Sequence, residues 1–150
     1  MREPCNFLLV EDNADDVVLV EYAFKEAGAP HRLHAVGDGQ QAMDYMMGKG
    51  AYADRKEYPL PSVILLDIKM PRVSGFEFLE WLHREAPEDL RLIPVIVMSS
   101  SNDERDVKKA YQLGANCYLI KPIPWSEFKE QLKALNIFWG EYVQTPTVKA

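Results

Sequence analysis

Short apolar runs alternate five times with longer segments whose apolar positions recur at helical spacing. Asn6-Phe7-Leu8-Leu9-Val10 is the first run, and it stops abruptly at Glu11-Asp12-Asn13. From Ala14 the period lengthens. Leu19, Val20, Ala23, Phe24 and Ala27 share one helix face, Asp15 and Asp16 favour its amino end, and Gly28 stops it. Arg32-Leu33-His34-Ala35-Val36 is a weaker run, after which Asp38 is placed to cap a helix carrying Ala42, Met43, Met46 and Met47. Gly48 to Pro61, rich in glycine, proline and mixed charge, reads as a surface loop.

The third run, Ser62 to Leu66, contains the consecutive aliphatics Val63-Ile64-Leu65-Leu66, which suit a strand buried on both faces of a parallel sheet. It ends in Asp67. Pro71 forbids continuation, and Ser74-Gly75 opens a helix that turns Phe78, Leu79 and Leu82 inward and leaves Phe76 and Trp81 elsewhere. The fourth run, Pro94 to Met98, ends in Ser99-Ser100-Ser101; Asn102 or Asp103 can cap a helix through Leu113, which Gly114 terminates. Cys117 to Ile120 is the fifth, stopped by Lys121-Pro122, and Ser126 can cap a last helix with Phe128, Leu132, Leu135 and Trp139 at core spacing. This order predicts one α/β domain over 1–150, core about 6–136, with helices on both faces of a parallel sheet.

Composition narrows the partners. A chain of 150 residues with 47% hydrophobic and 27% charged residues fits one ordinary core. A net charge of −6 disfavours nucleic acid and gives no basic membrane patch. Cys5 and Cys117 make neither a disulfide framework nor a metal-ligand spacing. No run has membrane-spanning length and the amino terminus lacks a signal-peptide pattern, so a cytoplasmic location is expected.

The chemistry sits where the runs end: Glu11-Asp12, Asp67, Ser99 and Lys121. In a doubly wound sheet of strand order 2-1-3-4-5, strands one and three meet at the topological switch point, where ligands bind. Glu11, Asp12 and Asp67 then converge, flanked by Ser99 and Lys121. Three close carboxylates need a raised pKa or a cation, and an all-oxygen donor set without Cys or His suits Mg²⁺. Asp67 can then serve as an oxygen nucleophile toward a phosphoryl group, with the Lys121 ammonium and Ser99 hydroxyl on the phosphoryl oxygens.

These residues resemble the receiver domain of two-component response regulators, from Asn6 to Leu135. The matching features are Glu11-Asp12, the Asp67-x-x-Met70-Pro71-x-x-x-Gly75 loop, Ser99, Tyr118 and Lys121-Pro122. The resemblance implies a flavodoxin-like five-stranded fold, Asp67 as phosphoacceptor, and Mg²⁺ held by Glu11, Asp12, Asp67 and the Lys69 backbone carbonyl. It makes Ser99 and Tyr118 the coupled switch residues, a sensor histidine kinase the partner, and the Lys121-Pro122 peptide usually cis. The long loop before the third strand and the tail from Ile137 to Val143 are similar to the stand-alone regulators that partner bacterial phytochrome histidine kinases, which carry no attached output domain. Such a protein catalyses only its own phosphorylation and dephosphorylation.

Phe138, Trp139, Tyr142 and Val143 extend past the last core position and suggest a homodimer through the last helix and tail. His31, His34 and His83 lack ligand spacing and read as surface or edge residues. An aspartyl phosphatase needs a second acid two residues after its nucleophile, where this chain has Lys69. A flavin-phosphate site needs a phosphate cradle after strand one, where Glu11-Asp12-Asn13 repels phosphate. A phosphorylation-independent interaction module is the remaining rival.

Overall fold

The computed structural model describes residues 3–28 and 30–148. Strands β1 (Asn6–Val10), β2 (Arg32–Val36), β3 (Val63–Leu66), β4 (Val95–Ser99) and β5 (Cys117–Ile120) form one parallel sheet of order β2-β1-β3-β4-β5. Helices α1 (Ala14–Glu26), α2 (Gly39–Met47), α3 (Gly75–Arg84), α4 (Glu104–Gln112) and α5 (Trp125–Ile137) connect and follow them. Because successive strand side chains point to opposite faces, the sheet divides the core in two. Leu8, Val10, Ile64, Leu66, Val95 and Val97 pack with α2 and α3 on one face. Phe7, Leu9, Val63, Leu65, Ile96 and Met98 pack with α1 and α5 on the other. None of the described helices is long and apolar enough to cross a membrane.

Local chemistry explains most boundaries. Asn13 caps α1, its side chain accepting from the Asp15 and Asp16 N–H groups, and Asp38 caps α2 by accepting from Gln41 N–H. Ser74 and Glu77 form a reciprocal capping box on α3, while Asp103 caps α4. The last helix differs from expectation. Its cap is Pro124, whose extended backbone feeds Trp125 directly into the helix, and Ser126 falls inside the first turn with no capping bond.

Three side chains expected elsewhere are placed by tertiary packing. In α2 it is Tyr45, 1% exposed, that joins Met46 in the core, and Met47 is 40% exposed. One residue is a 100° step, so a face carrying Ala42, Tyr45 and Met46 turns Met47 out. The segment after α2 is more structured than a plain surface loop: Tyr52 and Tyr58 pack on Tyr45 and beside the main core, and the Arg55 guanidinium donates to the carbonyls of Tyr45, Met46 and Tyr58. His31 is not a surface residue, since its side chain is 3% exposed. Cys5 N–H donates to its Nδ1 (2.9 Å), which leaves Nε2 to donate to Glu141 Oε1 (2.9 Å). His34 is also half-buried, against Tyr45 and Tyr58.

That histidine anchors the tail. A π-helical turn over Phe138–Tyr142 continues α5 and brings Trp139 against the α1–α5 side of the core and Gly140 onto the His31 ring. The following residues, Gln144 to Val148, run back beside Glu3–Asn6 and Leu60–Ser62 at the amino-terminal end of the sheet. Ile137, Phe138 and Tyr142 stay exposed.

Candidate functional site

Ladder bonds reach one residue beyond the strands and fix the reactive groups there. Glu11 N–H donates to the Val36 carbonyl (3.0 Å), Asp67 N–H to the Val10 carbonyl (2.9 Å), and Lys121 N–H to the Ser99 carbonyl (2.8 Å). The carboxyl ends of β1, β3, β4 and β5 therefore share one rim. There the carboxylate oxygens of Glu11, Asp12 and Asp67 lie within 4.8 Å of one another. Glu11 and Asp67 are buried and Asp12 is exposed.

Burial, together with the neighbouring Asp67 carboxyl, pushes the Glu11 carboxyl up to about 8 against the opposing pull of Lys121. Burial acting alone would lower the Lys121 ammonium; its bonds to Glu11 and Asp16 and the more distant charge of Asp67 outweigh that and raise it. The Lys121 ammonium meets Glu11 Oε1 and stands 3.0 Å from Asp16 Oδ2. Among the described residues no ion pair joins Lys121 to Asp67 itself. The lysine is thus parked toward α1. Asp16 is a site residue that the sequence indicated only as a favourable helix-start charge.

Close backbone approach completes the Asp67 loop. A Cβ on Gly75 would lie 2.2 Å from the Asp67 carbonyl oxygen and 2.5 Å from Ile68 Cα, so only glycine lets α3 start this near β3. Lys69 N–H donates to Asp67 Oδ1 (3.1 Å), and its ammonium pairs with Asp106 Oδ2 (3.2 Å) on α4. Arg72 adopts a left-handed φ of 61° and reaches Asp38 (2.9 Å), while Gly39 N–H donates to the Val73 carbonyl (2.9 Å). These bonds tie the loop to α2 and offset the roughly 1–2 kcal/mol cost of that conformation.

The two expected switch residues meet through Ser101. Ser99, fully buried, accepts the Ser101 N–H on Oγ (3.1 Å), and the Tyr118 hydroxyl donates to the Ser101 carbonyl (2.8 Å). Ser101 Oγ in turn donates to Asp106 Oδ2 (2.6 Å). Tyr118 is half-buried against the core, already turned inward. The Lys121-Pro122 peptide, which the resemblance implied to be cis, is trans, as are all described peptide bonds; the two isomers of such a bond differ by only about 0.5–1 kcal/mol.

Comparison with known proteins identifies the family. The sequence profile of the response regulator receiver domain matches residues 7–133. Response regulator Rcp1 of Synechocystis is 35% identical over 95% of this chain and 94% of its own length. The probable methanogenesis regulatory protein FilR2 of Methanothrix harundinacea is 34% identical over 97% of this chain and 90% of its own. The crystal structure of the phosphorylated cyanobacterial phytochrome response regulator RcpA superposes with a TM-score of 0.88 at 33% identity, covering 97% of this chain and 100% of that one. An Mn²⁺-bound Rcp1 structure superposes at 0.86 with 35% identity, covering 96% and 100%. Strand order, strand-end chemistry and these matches together place the chain in the response regulator receiver domain family of two-component signalling.

Proposed function

We propose that the protein is a phosphorylatable response regulator that accepts a phosphoryl group on Asp67 from a sensor histidine kinase, of the phytochrome class given its relatives, and switches protein–protein contacts. The observation that carries this reading is the convergence of Glu11, Asp12 and Asp67 beside the Lys121 ammonium. The donor set fits a hard divalent ion: all oxygen, excess negative charge, and a Glu11 carboxyl pushed up by burial and by Asp67, whose ionised form a cation would stabilise. Glu11, Asp12, Asp67 and the Lys69 carbonyl would hold Mg²⁺, which when bound neutralises the carboxylates and polarises phosphoryl oxygens.

In the transfer, an Asp67 carboxylate oxygen forms the new O–P bond as the P–N bond to the kinase histidine breaks, and the leaving imidazole keeps the bonding pair and takes a proton. Lys121 moves from its carboxylates to a phosphoryl oxygen. Ser99 turns its hydroxyl from the Ser101 N–H to another. Its departure leaves the Ser101 amide without an acceptor, so the loop that also holds Tyr118 must shift. Moving a population from about 1:99 to 99:1 takes about 5.5 kcal/mol. One charge-assisted bond from Ser99 gives about 1.5–3 kcal/mol, so Lys121 supplies much of the rest. Exposed Ile137, Phe138 and Tyr142 support a homodimer through α5 and the tail, and a monomer mass independent of concentration and phosphorylation would exclude it.

Incubation with acetyl phosphate and Mg²⁺, followed by intact mass spectrometry, tests the reading. One phosphoryl adduct is expected, lost with a chelator and lost in Asp67→Asn. An adduct that persists in Asp67→Asn contradicts the assignment, and a phosphorylation-independent interaction module predicts none at all.

A further inference from the structure

The Glu11 carboxylate faces two competing demands. It pairs with the Lys121 ammonium, and it belongs to the trio whose oxygens could share a divalent cation with Asp12 and Asp67. Meeting the second weakens the first. Lys121 is only 12% exposed, and a buried ammonium that loses its partner carries a large desolvation penalty. Asp16 is the other carboxylate in reach, 3.0 Å from the Lys121 Nζ and outside the trio. Asn13 Oδ1 accepts the Asp15 and Asp16 N–H groups (2.9 and 3.1 Å) and so fixes the first turn of α1, from which the Asp16 carboxylate, unlike that of Asp15, reaches Lys121.

We propose that Asp16 is the positioning residue for Lys121: it keeps the ammonium when Glu11 turns to a divalent cation, so that cation and lysine occupy the site together. The proposal rests on the phosphoryl-acceptor reading above. Asp16 touches neither the trio nor the incoming phosphoryl group; it acts through Lys121. Without it, Lys121 keeps Glu11 as its one ion-pair partner among the described residues, and a cation takes Glu11 only by leaving a largely buried ammonium without a bonded carboxylate.

Asp15 supplies the control, because it is exposed, one residue earlier on the same turn, equal in charge, and makes no ion pair with Lys121. Mg²⁺ affinity is measured by isothermal titration calorimetry on the full chain as wild type, Asp16→Asn, Asp16→Glu and Asp15→Asn, with thermal unfolding in chelator as the check on folding. Asp16→Asn is expected to bind Mg²⁺ about five- to tenfold more weakly than Asp15→Asn, a typical coupling between neighbouring sites. Asp16→Glu should recover most of the loss. At saturating Mg²⁺, Asp16→Asn should still be phosphorylated by acetyl phosphate more slowly than Asp15→Asn, since its lysine is no longer aimed. Equal Mg²⁺ affinities for the two Asn variants, within twofold, overturn the role of Asp16 whether or not the wild type is phosphorylated. A wild type that is never phosphorylated while the affinity difference persists overturns the acceptor reading instead. If Asp16→Asn does not fold, the same comparison is made with Asp16→Ser.

Discussion

Replacing Gly75 by alanine sets two effects of known size against each other. Gly75 is the first residue of α3, and its φ lies outside the left-handed region, so nothing in its backbone requires glycine. On propensity and unfolded-state entropy, alanine should stabilise by about 0.4–1 kcal/mol. Against this, the added Cβ meets the Asp67 carbonyl oxygen at 2.2 Å, Ile68 Cα at 2.5 Å and the Asp67 carbonyl carbon at 2.9 Å. These are all backbone atoms that cannot rotate away, and the nearest is more than about 1 Å inside van der Waals contact. Overpacking of this kind costs about 1–3 kcal/mol, and with no flexible neighbour the upper part of that range applies. The net loss is about 1–2 kcal/mol, or roughly 3–6 °C in melting temperature for a chain of this length. Calorimetry of Gly75→Ala beside Gly37→Ala decides the matter, because a Cβ on Gly37 meets only the Gln41 side chain at 3.6 Å and should be tolerated. The displaced β3–α3 loop should also slow labelling by acetyl phosphate. A Gly75→Ala protein that melts at or above wild type would refute the claim that close backbone approach sets Asp67.

Further expectations concern protons, the loop and the tail. Folding raises the Glu11 carboxyl to about 8 from about 4.3 in the unfolded chain. Its contribution to metal-free stability is therefore full below about pH 4.3 and lost as pH rises through about 8. Mg²⁺ binding should accordingly weaken as pH falls, and an affinity unchanged between about pH 8.5 and about pH 6 would rule this out. Arg55→Ala removes three bonds to carbonyls and should destabilise by about 1–3 kcal/mol. Hydrogen exchange should accelerate between residues 49 and 61, and unchanged protection there would contradict the bracing role. His31→Ala removes the bond that its ring accepts from the Cys5 N–H and the bond that it donates to Glu141, at about 1–3 kcal/mol. Proteolysis after Phe138 should become faster, whereas an unaltered denaturation midpoint and cleavage rate would show that the histidine does not hold the tail.

What was legible in the sequence follows from how local each signal is. β1, β2 and β5 begin and end where the apolar runs do, Asp38 caps as its side-chain chemistry dictates, and of the two candidates Asn102 and Asp103 it is Asp103 that caps. The acidic trio was readable because parallel strands of this order must bring their carboxyl ends to one rim. The residues that were missed act across the fold. Asp16 reads as a helix-start acid until β5 places Lys121 opposite it, and Asp106 carries no local signal at all, its partners Lys69 and Ser101 coming from two loops outside α4. His31 lacked any ligand spacing because its partners come from the amino terminus and the tail. Ser126 is a good capping residue, but Pro124 had already set the helix start.

The central claim is that the phosphoryl group resides on Asp67, and reductive trapping addresses it directly. Borohydride converts an aspartyl phosphate to homoserine, so the protein labelled with acetyl phosphate and Mg²⁺ is reduced, digested and sequenced by mass spectrometry. Homoserine at position 67, dependent on the phosphodonor, is the predicted result. Homoserine at position 12 or 16, or none anywhere in a protein that carries the label, would contradict it.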